Sequence, residues 1–490
     1  MSRPNILIFM TDQQRGGTVL PGSPVKALTP HLDRFRGESV TFSRTFCPAP
    51  HCCPSRASFF SGLYPSEHGV WNNVDVGNAL SRGLNDGVRL WCEDCRDAGY
   101  RMHFAGKWHV SAEESANDRG WDSTRPFRSR FPRREGAWRD EPQPFEWERF
   151  TPAAVRLPET RGEGQILREG YGTYSHYGEK ETPFNDRQVV DDALAVIRSR
   201  PRDPAPWCQY VGVLGPHDPY FVPQRFLDLY DLEDIPLPAN FHDRMADKPA
   251  LYRRTRGRFD QLGEREHREA IRHYLAFCSY LDSLFGEVLQ ALEETGEREN
   301  TLVLYCSDHG DYLGEHGLWC KGLPCFQPAY HVPAILRWPA RVVRPGREVD
   351  AFVSLADFAP TFLAAAEIGT ERRFAGSSLL PFLADQPPAD WRDALFTQSN
   401  GNELYGIQRS VMTRDWKYVY NGFDYDELYD LAADPGETVN LAARPEYKPV
   451  RRELAKRLWR FARENRDTAV NGYIMTALAE FGPGVACADE

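Results

Sequence analysis

The sequence predicts an α/β protein: a large, mixed, mostly parallel sheet sandwiched by helices, followed by a smaller α+β subdomain with an antiparallel sheet. Three observations carry that expectation. Short apolar runs alternate with helical patterns along most of the chain, four of those runs end on polar residues of ligand or acid–base type, and the pattern changes to closely spaced short strands near the C-terminus.

The clearest strands are Asn5 to Thr11, Arg101 to Ala105, Trp207 to Leu214 and Thr301 to Ser307, each short, apolar and followed by polar residues. The longest helix signal runs from about Glu266 to Glu294. Ile271, Tyr274, Leu275, Cys278, Leu281, Leu284, Phe285, Val288 and Leu292 fall at helical spacing, and Gly296 is the stop. Between Val110 and Asn185 the pattern dissolves into a loop-rich insertion, 110–185, that carries Arg125, Arg128, Arg130, Arg133, Arg134 and Arg139 beside Glu135, Asp140 and Glu141. A long insertion of this kind is functional or mobile. Its charges read first as a solvated, partly paired surface and second as a rim selecting acidic substrates.

A helical pattern over Ala356 to Ala366 precedes a boundary near Gly376 to Asp390. Beyond it, Ala394 to Gln398, Gly406 to Thr413 and Trp416 to Asn421 read as strands of a small antiparallel sheet. The expected organisation is an α/β domain over residues 1–380 and a C-terminal subdomain and tail over 381–490. The apolar tail around Tyr473 to Phe481 either packs on a neighbouring subunit, making a homo-oligomer, or folds back on its own domain.

At 490 residues, 41% of them hydrophobic, the chain can bury one large core and a smaller one. A formal net charge of −11 argues against nucleic-acid binding, whose footprint is a basic surface. Eleven cysteines, an odd number without a regular framework, predict reduced thiols. Cys92 and Cys95 form the one C-x-x-C, yet helical spacing and the lack of a second pair favour packing over zinc. The first apolar run reaches Asp12 too soon for a signal peptide or a membrane span, so a cytoplasmic location without membrane attachment is expected.

The stretch from His51 to Pro65, H-C-C-P-S-R-A-S-F-F-S-G-L-Y-P, is the most informative. A thiol followed by Pro and Ser, then Ala57, Phe59, Phe60 and Leu63, reads as a turn entering a helix whose N-terminus favours anions. Arg56 adds a fixed positive charge, so a thiol there should be unusually acidic and reactive.

Where the other polar groups fall supports a site at one sheet edge. Open α/β sheets bind ligands beyond the carboxyl ends of their strands. Here those ends carry Asp12-Gln13, then Gly106-Lys107-Trp108-His109, then Pro216-His217-Asp218-Pro219, then Asp308-His309-Gly310-Asp311. Asp12 and Asp308 offer carboxylate oxygens, Gln13 an amide oxygen and His309 an imidazole, a set suited to Ca²⁺, Mg²⁺ or Mn²⁺ and not to structural zinc.

Cys52, Pro54, Ser55, Arg56 and Ser61-Gly62 stand in the C-x-P-S-R-x-x-x-x-[ST]-G order of the type I sulfatases, which this chain resembles; Cys53 fills the variable slot. The resemblance extends through G-K-W-H, P-H-D-P, D-H-G-D, G-L-W-C-K-G and E-L-Y-D-L-A-A-D-P-G-E-T-V-N-L-A, covering most of the chain. It implies an alkaline phosphatase-like fold. It also implies that Cys52 is oxidised by a formylglycine-generating enzyme to formylglycine, an aldehyde whose hydrate supplies the nucleophilic oxygen.

By the same resemblance one divalent cation, Ca²⁺ first with Mn²⁺ or Mg²⁺ as alternatives, is held by Asp12, Gln13, Asp308, His309 and modified Cys52. Lys107, Lys321 and Arg56 balance charge on the sulfuryl oxygens, His217 with Lys321 protonates the leaving alcohol, and His109 deprotonates the second hydroxyl. Two departures from the commonest pattern, Asp12-Gln13 for Asp-Asp and Asp308-His309 for Asp-Asn, resemble the branch of choline sulfatase and the phosphonate monoester hydrolases. The implied substrate is a small sulfate ester. A phosphonate monoester or phosphodiester is the second reading, and a non-catalytic metal or anion binder the third.

Overall fold

The computed structural model describes residues 3–23, 25–123, 151–152, 156–170, 172–199, 205–402, 404–472 and 475–488. Strands are numbered in chain order. The central sheet contains β1 (Asn5–Thr11), β2 (Val40–Phe46), β3 (Arg101–Gly106), β4 (Asp122–Ser123), β8 (Trp207–Gly212), β10 (Thr301–Ser307), β11 (His331–Val332), β12 (Ala334–Arg337) and β13 (Arg347–Ser354). Their order is β11-β2-β12-β10-β1-β8-β3-β4, with β13 added on β2. β10, β1, β8, β3 and β4 run parallel, while β11 and β12 are antiparallel to their neighbours.

The central strands lack polar alternation because both faces are covered. In β1 every residue is buried: Ile6, Ile8 and Met10 pack into one core, Leu7 and Phe9 into the other. The first core is covered by the helices Cys52–Ser61, Trp91–Asp97 and Phe358–Ala365. The second is covered by Glu264–Glu294, Asp186–Ser199 and Pro30–Gly37. The Glu264–Glu294 helix starts two residues before the expected Glu266, because the Glu266 carboxylate accepts the Gly263 N–H and caps the first turn. Its Phe285 meets Phe9 edge-on at 5.2 Å and Tyr305 at 4.9 Å, tying the helix to two strands. Each such buried ring stabilises the fold by about 1.5–3 kcal/mol.

The 110–185 insertion departs from the featureless expectation beyond Gln165. β5 (Gln165–Arg168) and β6 (Gly172–Ser175) form a ribbon, and β7 (Tyr177–Glu179) pairs in parallel with β9 (Tyr220–Val222), just after the His217 loop. These strands are three or four residues long, too short to show a period. Arg125 to Asp140 and Glu141 lie outside the described residues.

β14 (Leu395–Gly401), β15 (Tyr405–Met412), β16 (Trp416–Asn421) and β17 (Glu427–Asp430) make a four-stranded antiparallel sheet backed by the helix Lys448–Glu464. Of the tail, Tyr473 lies outside the described residues. Phe481 packs into this same small core, and its carbonyl accepts the Trp459 indole N–H at 2.7 Å. All eleven cysteines are free, and Cys92 and Cys95 are buried in the first core. No helix among the described residues is long and apolar enough to cross a membrane.

Candidate active site

β10, β1, β8 and β3 are consecutive neighbours in the sheet, so the segments after them open side by side at one edge. The helix Cys52–Ser61 points its first turn into the same edge, with His51 as N-cap and Gly62 closing it at φ +74°. A left-handed residue at that end favours glycine.

Asp12, Cys52, Asp308 and His309 are all fully buried, and one ligand atom from each lies within 4.8 Å of the others. Cys52 Sγ is 3.2 Å from His309 Nε2 and 3.7 Å from Asp12 Oδ1. The two carboxylates divide their oxygens. Oδ2 of Asp12 accepts from Arg56 at 3.2 Å and Lys107 at 2.5 Å, and Oδ2 of Asp308 accepts from Arg56 Nε at 2.8 Å. Their Oδ1 atoms lie 3.6 and 3.7 Å from His309 Nε2. His309 Nδ1–H donates to the Gly310 carbonyl at 2.9 Å, which turns Nε2 toward the carboxylates. Oδ1 of Asp12, Oδ1 of Asp308, which also accepts the Gln13 and His309 N–H groups, one inward imidazole nitrogen and the position-52 side chain fit a divalent cation of the Ca²⁺, Mg²⁺ or Mn²⁺ kind.

Charge sets the protonation states. Burial and the neighbouring Cys52 push Asp12 up, but Lys107, His217 and Arg56 outweigh both and hold it well below the usual carboxylate range. Burial and the adjacent Asp12 raise Asp308. Burial also opposes a Cys52 thiolate, yet Lys107, Lys321 and His309 outweigh it and bring this thiol well below its ordinary value. Lys107 is itself held protonated, because Asp12 and Cys52 overcome its burial.

Gln13, expected as a cation ligand, stands beside the cluster and is bound by three charged neighbours. Its carboxamide nitrogen donates to Asp311 at 2.7 Å and Asp218 at 3.1 Å, and its oxygen accepts from Lys321 Nζ at 2.5 Å. Two carboxylates on one side and an ammonium on the other fix the amide this way round, with its oxygen accepting from Lys321. Asp311 also accepts from Tyr220 OH and from the backbone N–H groups of Leu313 and Cys320, so it anchors both Gln13 and the Lys321 loop.

Lys321 Nζ lies 2.6 Å from His217 Nε2, and His217 Nδ1–H donates to the Asp218 carbonyl at 2.6 Å. That bond turns Nε2 toward the lysine ammonium. Asp186 holds this loop from behind: it accepts the N–H groups of Leu214 and Gly215 at 2.7 and 2.8 Å, and the Gly215 carbonyl accepts the Asp12 N–H at 3.1 Å. His109, left-handed at φ +53°, sits on the other flank with Nε2 3.0 Å from Asp75 Oδ1.

All the sequence-selected residues, Asp12, Gln13, Cys52, Arg56, Lys107, His109, His217, Asp308, His309 and Lys321, thus gather at this edge. Asp75, Asp186, Asp218, Asp311 and Tyr210, whose hydroxyl accepts from Arg56 at 2.9 Å, were not singled out. Only Asp218 and Asp311 carried a sequence signal, by standing inside the two strand-end blocks.

Residues 4–368 match the family model described as Sulfatase, and residues 314–464 match N-sulphoglucosamine sulphohydrolase, C-terminal. The chain belongs to the sulfatase family. It is thereby an enzyme of the sulfuric ester hydrolase class, in the alkaline phosphatase-like superfamily. It is 30% identical over 467 residues to a choline-sulfatase of Rhizobium meliloti (strain 1021), covering 90% of this chain and 83% of that one. It is 27% identical over 508 residues to the multifunctional alkaline phosphatase superfamily protein PehA of Trinickia caryophylli, covering 95% and 97%. Its fold matches the phosphonate monoester hydrolase of Agrobacterium radiobacter with a TM-score of 0.75 at 24% identity, over 94% of this chain and 96% of that one.

Proposed function

We propose that this sulfatase-family enzyme hydrolyses an aryl, alkyl or sugar sulfate monoester to the alcohol and inorganic sulfate, using position 52 as the nucleophile. The observation that carries the reading is the placement of Cys52 at a buried helix start, in the Asp12–Asp308–His309 cluster, with Arg56 and Lys107 bound to the outer carboxylate oxygens. The Cys52 thiol stands for the formylglycine made by a formylglycine-generating enzyme. Hydrated, that aldehyde supplies one hydroxyl to attack sulfur and a second whose deprotonation expels sulfate. Asp12, Gln13, Asp308 and His309, with modified Cys52, would hold the divalent cation, Ca²⁺ by the carboxylates or Mn²⁺ by the imidazole, with Mg²⁺ as a third candidate; it would supply Lewis-acid polarisation of oxygens at this point.

The remaining roles belong to this chain's own groups. Lys107 and Lys321 present protonated ammonium groups to the sulfuryl oxygens without reorganisation, and Arg56 fixes both carboxylates behind them. Lys321 and His217 form a donor–acceptor pair in which the ammonium proton passes to the departing alkoxide, with the imidazole beside it to share the charge. Gln13 keeps Lys321 in place. His109 is oriented by Asp75 to remove the second hydroxyl proton.

A phosphonate monoester or phosphodiester is the second reading. It is supported by the Asp308-His309 pair, since the same charges fit either tetrahedral anion. Paired turnover of 4-nitrophenyl sulfate and a 4-nitrophenyl phosphonate monoester separates the two. A higher kcat/KM on the sulfate is expected, and a higher value on the phosphonate transfers the protein to the second reading.

A further inference from the structure

Beside the cluster just described lies a second group of ligand-type side chains that the reaction does not use as a unit. Cys53, Asp75 and His109 each place one ligand atom within 4.8 Å of the other two. They come from three separate elements: the start of the Cys52–Ser61 helix, the loop 72–75, and the segment after β3. His109 Nε2 and Asp75 Oδ1 are 3.0 Å apart. Tetrahedral zinc with ordinary Zn–N, Zn–O and Zn–S bonds holds such ligand atoms about 3.3–3.6 Å apart, so the Asp75–His109 pair would open by a few tenths of an ångström while any wider separation, none above 4.8 Å, draws in.

Two further features support coordination. The loop is bound to the helix start, because Asn73 Oδ1 accepts the Cys53 N–H at 3.2 Å and Cys53 Sγ accepts the Val74 N–H at 3.4 Å. The second of these is an outer donor to sulfur of the kind that steadies a metal-bound thiolate. The His109 ring also bonds to the Cys53 thiol, so all three ligand groups already face one another.

The donor chemistry of the two sites also differs. Once Cys52 has become an aldehyde, the Asp12–Asp308–His309 site offers oxygen and one nitrogen, whereas the neighbouring group keeps a thiol. Sulfur, imidazole and one carboxylate select Zn²⁺ over Ca²⁺ or Mg²⁺ and leave a fourth position open.

We propose that Cys53, Asp75 and His109 form a second metal site, selective for Zn²⁺, whose occupation withdraws His109 from the reaction and inhibits the enzyme reversibly. The inhibition rests on the role given to His109 under the proposed function; the binding does not.

The test uses full-length enzyme with Cys52 conversion verified by peptide mass and the oxygen-ligand site loaded with its cation. Co²⁺ is titrated as a Zn²⁺ surrogate and the near-ultraviolet thiolate-to-cobalt band is read, and Zn²⁺ is titrated against turnover. Expected are a band saturating at one equivalent in the native enzyme and weakened in Asp75→Asn. Cys53→Ala should lose the band, keep basal turnover, and shift the Zn²⁺ inhibition midpoint upward by about tenfold or more. No band in the native enzyme, or a band undiminished in Cys53→Ala, overturns the site. A Cys53-dependent band without inhibition upholds the site and overturns the role of His109 in turnover.

Discussion

The strand-end site and the C-terminal sheet both bury charge, and they do so in opposite ways. In the C-terminal sheet, Arg409 meets the two oxygens of Asp467, with Nη2 3.0 Å from Oδ1, and Lys417 meets Glu437 at 2.6 Å. Each cation has its own carboxylate, and all four groups are almost without solvent contact. Around Cys52 the charges are shared instead. Arg56 is shared by Asp12 and Asp308, Asp12 by Arg56 and Lys107, and Lys321 by Gln13 and His217. Closed pairs add no capacity to bind anything further. Shared ones leave inward-facing carboxylate oxygens and ammonium protons available to a cation and an anion.

Stripping divalent cations with a chelator should break the contrast most completely. Turnover of 4-nitrophenyl sulfate is expected to vanish and to return on adding Ca²⁺ or Mn²⁺. Far-ultraviolet circular dichroism should stay native, because the C-terminal pairs do not depend on the ion. Arg409→Ala should do the reverse. It leaves Asp467 buried and unpaired, so chemical denaturation should show a loss of about 3–5 kcal/mol, with kcat per folded molecule unchanged.

Lys107→Ala should lower kcat/KM by about 10²–10³-fold, as expected for removing a preorganised charge from a sulfuryl site. Its melting temperature should move little, since the Asp12 partner keeps Arg56.

The smallest effect sharpens the contrast at the surface. Glu266 is lowered from its ordinary 4.5 to about 2 by its bonds to Arg161, against partial burial and helped by the Gly263 and Gly164 N–H groups. A depressed folded-state carboxylate contributes stability that is fully present above 4.5 and is lost as pH falls toward 2. Glu266→Gln should therefore be less stable than the native protein by about 1 kcal/mol or less at pH 7. The difference should close at the acid end, measured by urea titrations at each pH.

Much of this was legible in the sequence, and the reasons are local. β1 and β10 end where the apolar runs end, and Gly62 and Gly296 stop their helices, because strand burial and helix termination are written in adjacent residues. The strand-end blocks located Asp12, Lys107, His217 and Asp308 by the same logic.

What escaped depends on partners far along the chain. The Gln13 carboxamide faces Asp218, Asp311 and Lys321, residues that only the folded sheet edge brings together, so its bracing of Lys321 has no local sequence signal. Asp186 acts through two backbone N–H groups of β8's exit, a contact with no sequence period. Asp75 approaches His109 from a loop without any motif.

The most direct test of the central claim, that position 52 is the nucleophile, is a burst experiment with Cys52→Ser and 4-nitrophenyl sulfate. The account predicts one equivalent of 4-nitrophenol and a stable sulfo adduct on the peptide carrying position 52. A single hydroxyl can attack sulfur but has no second hydroxyl with which to expel the product. Sustained turnover by this variant, or a burst whose adduct lies elsewhere, would contradict it.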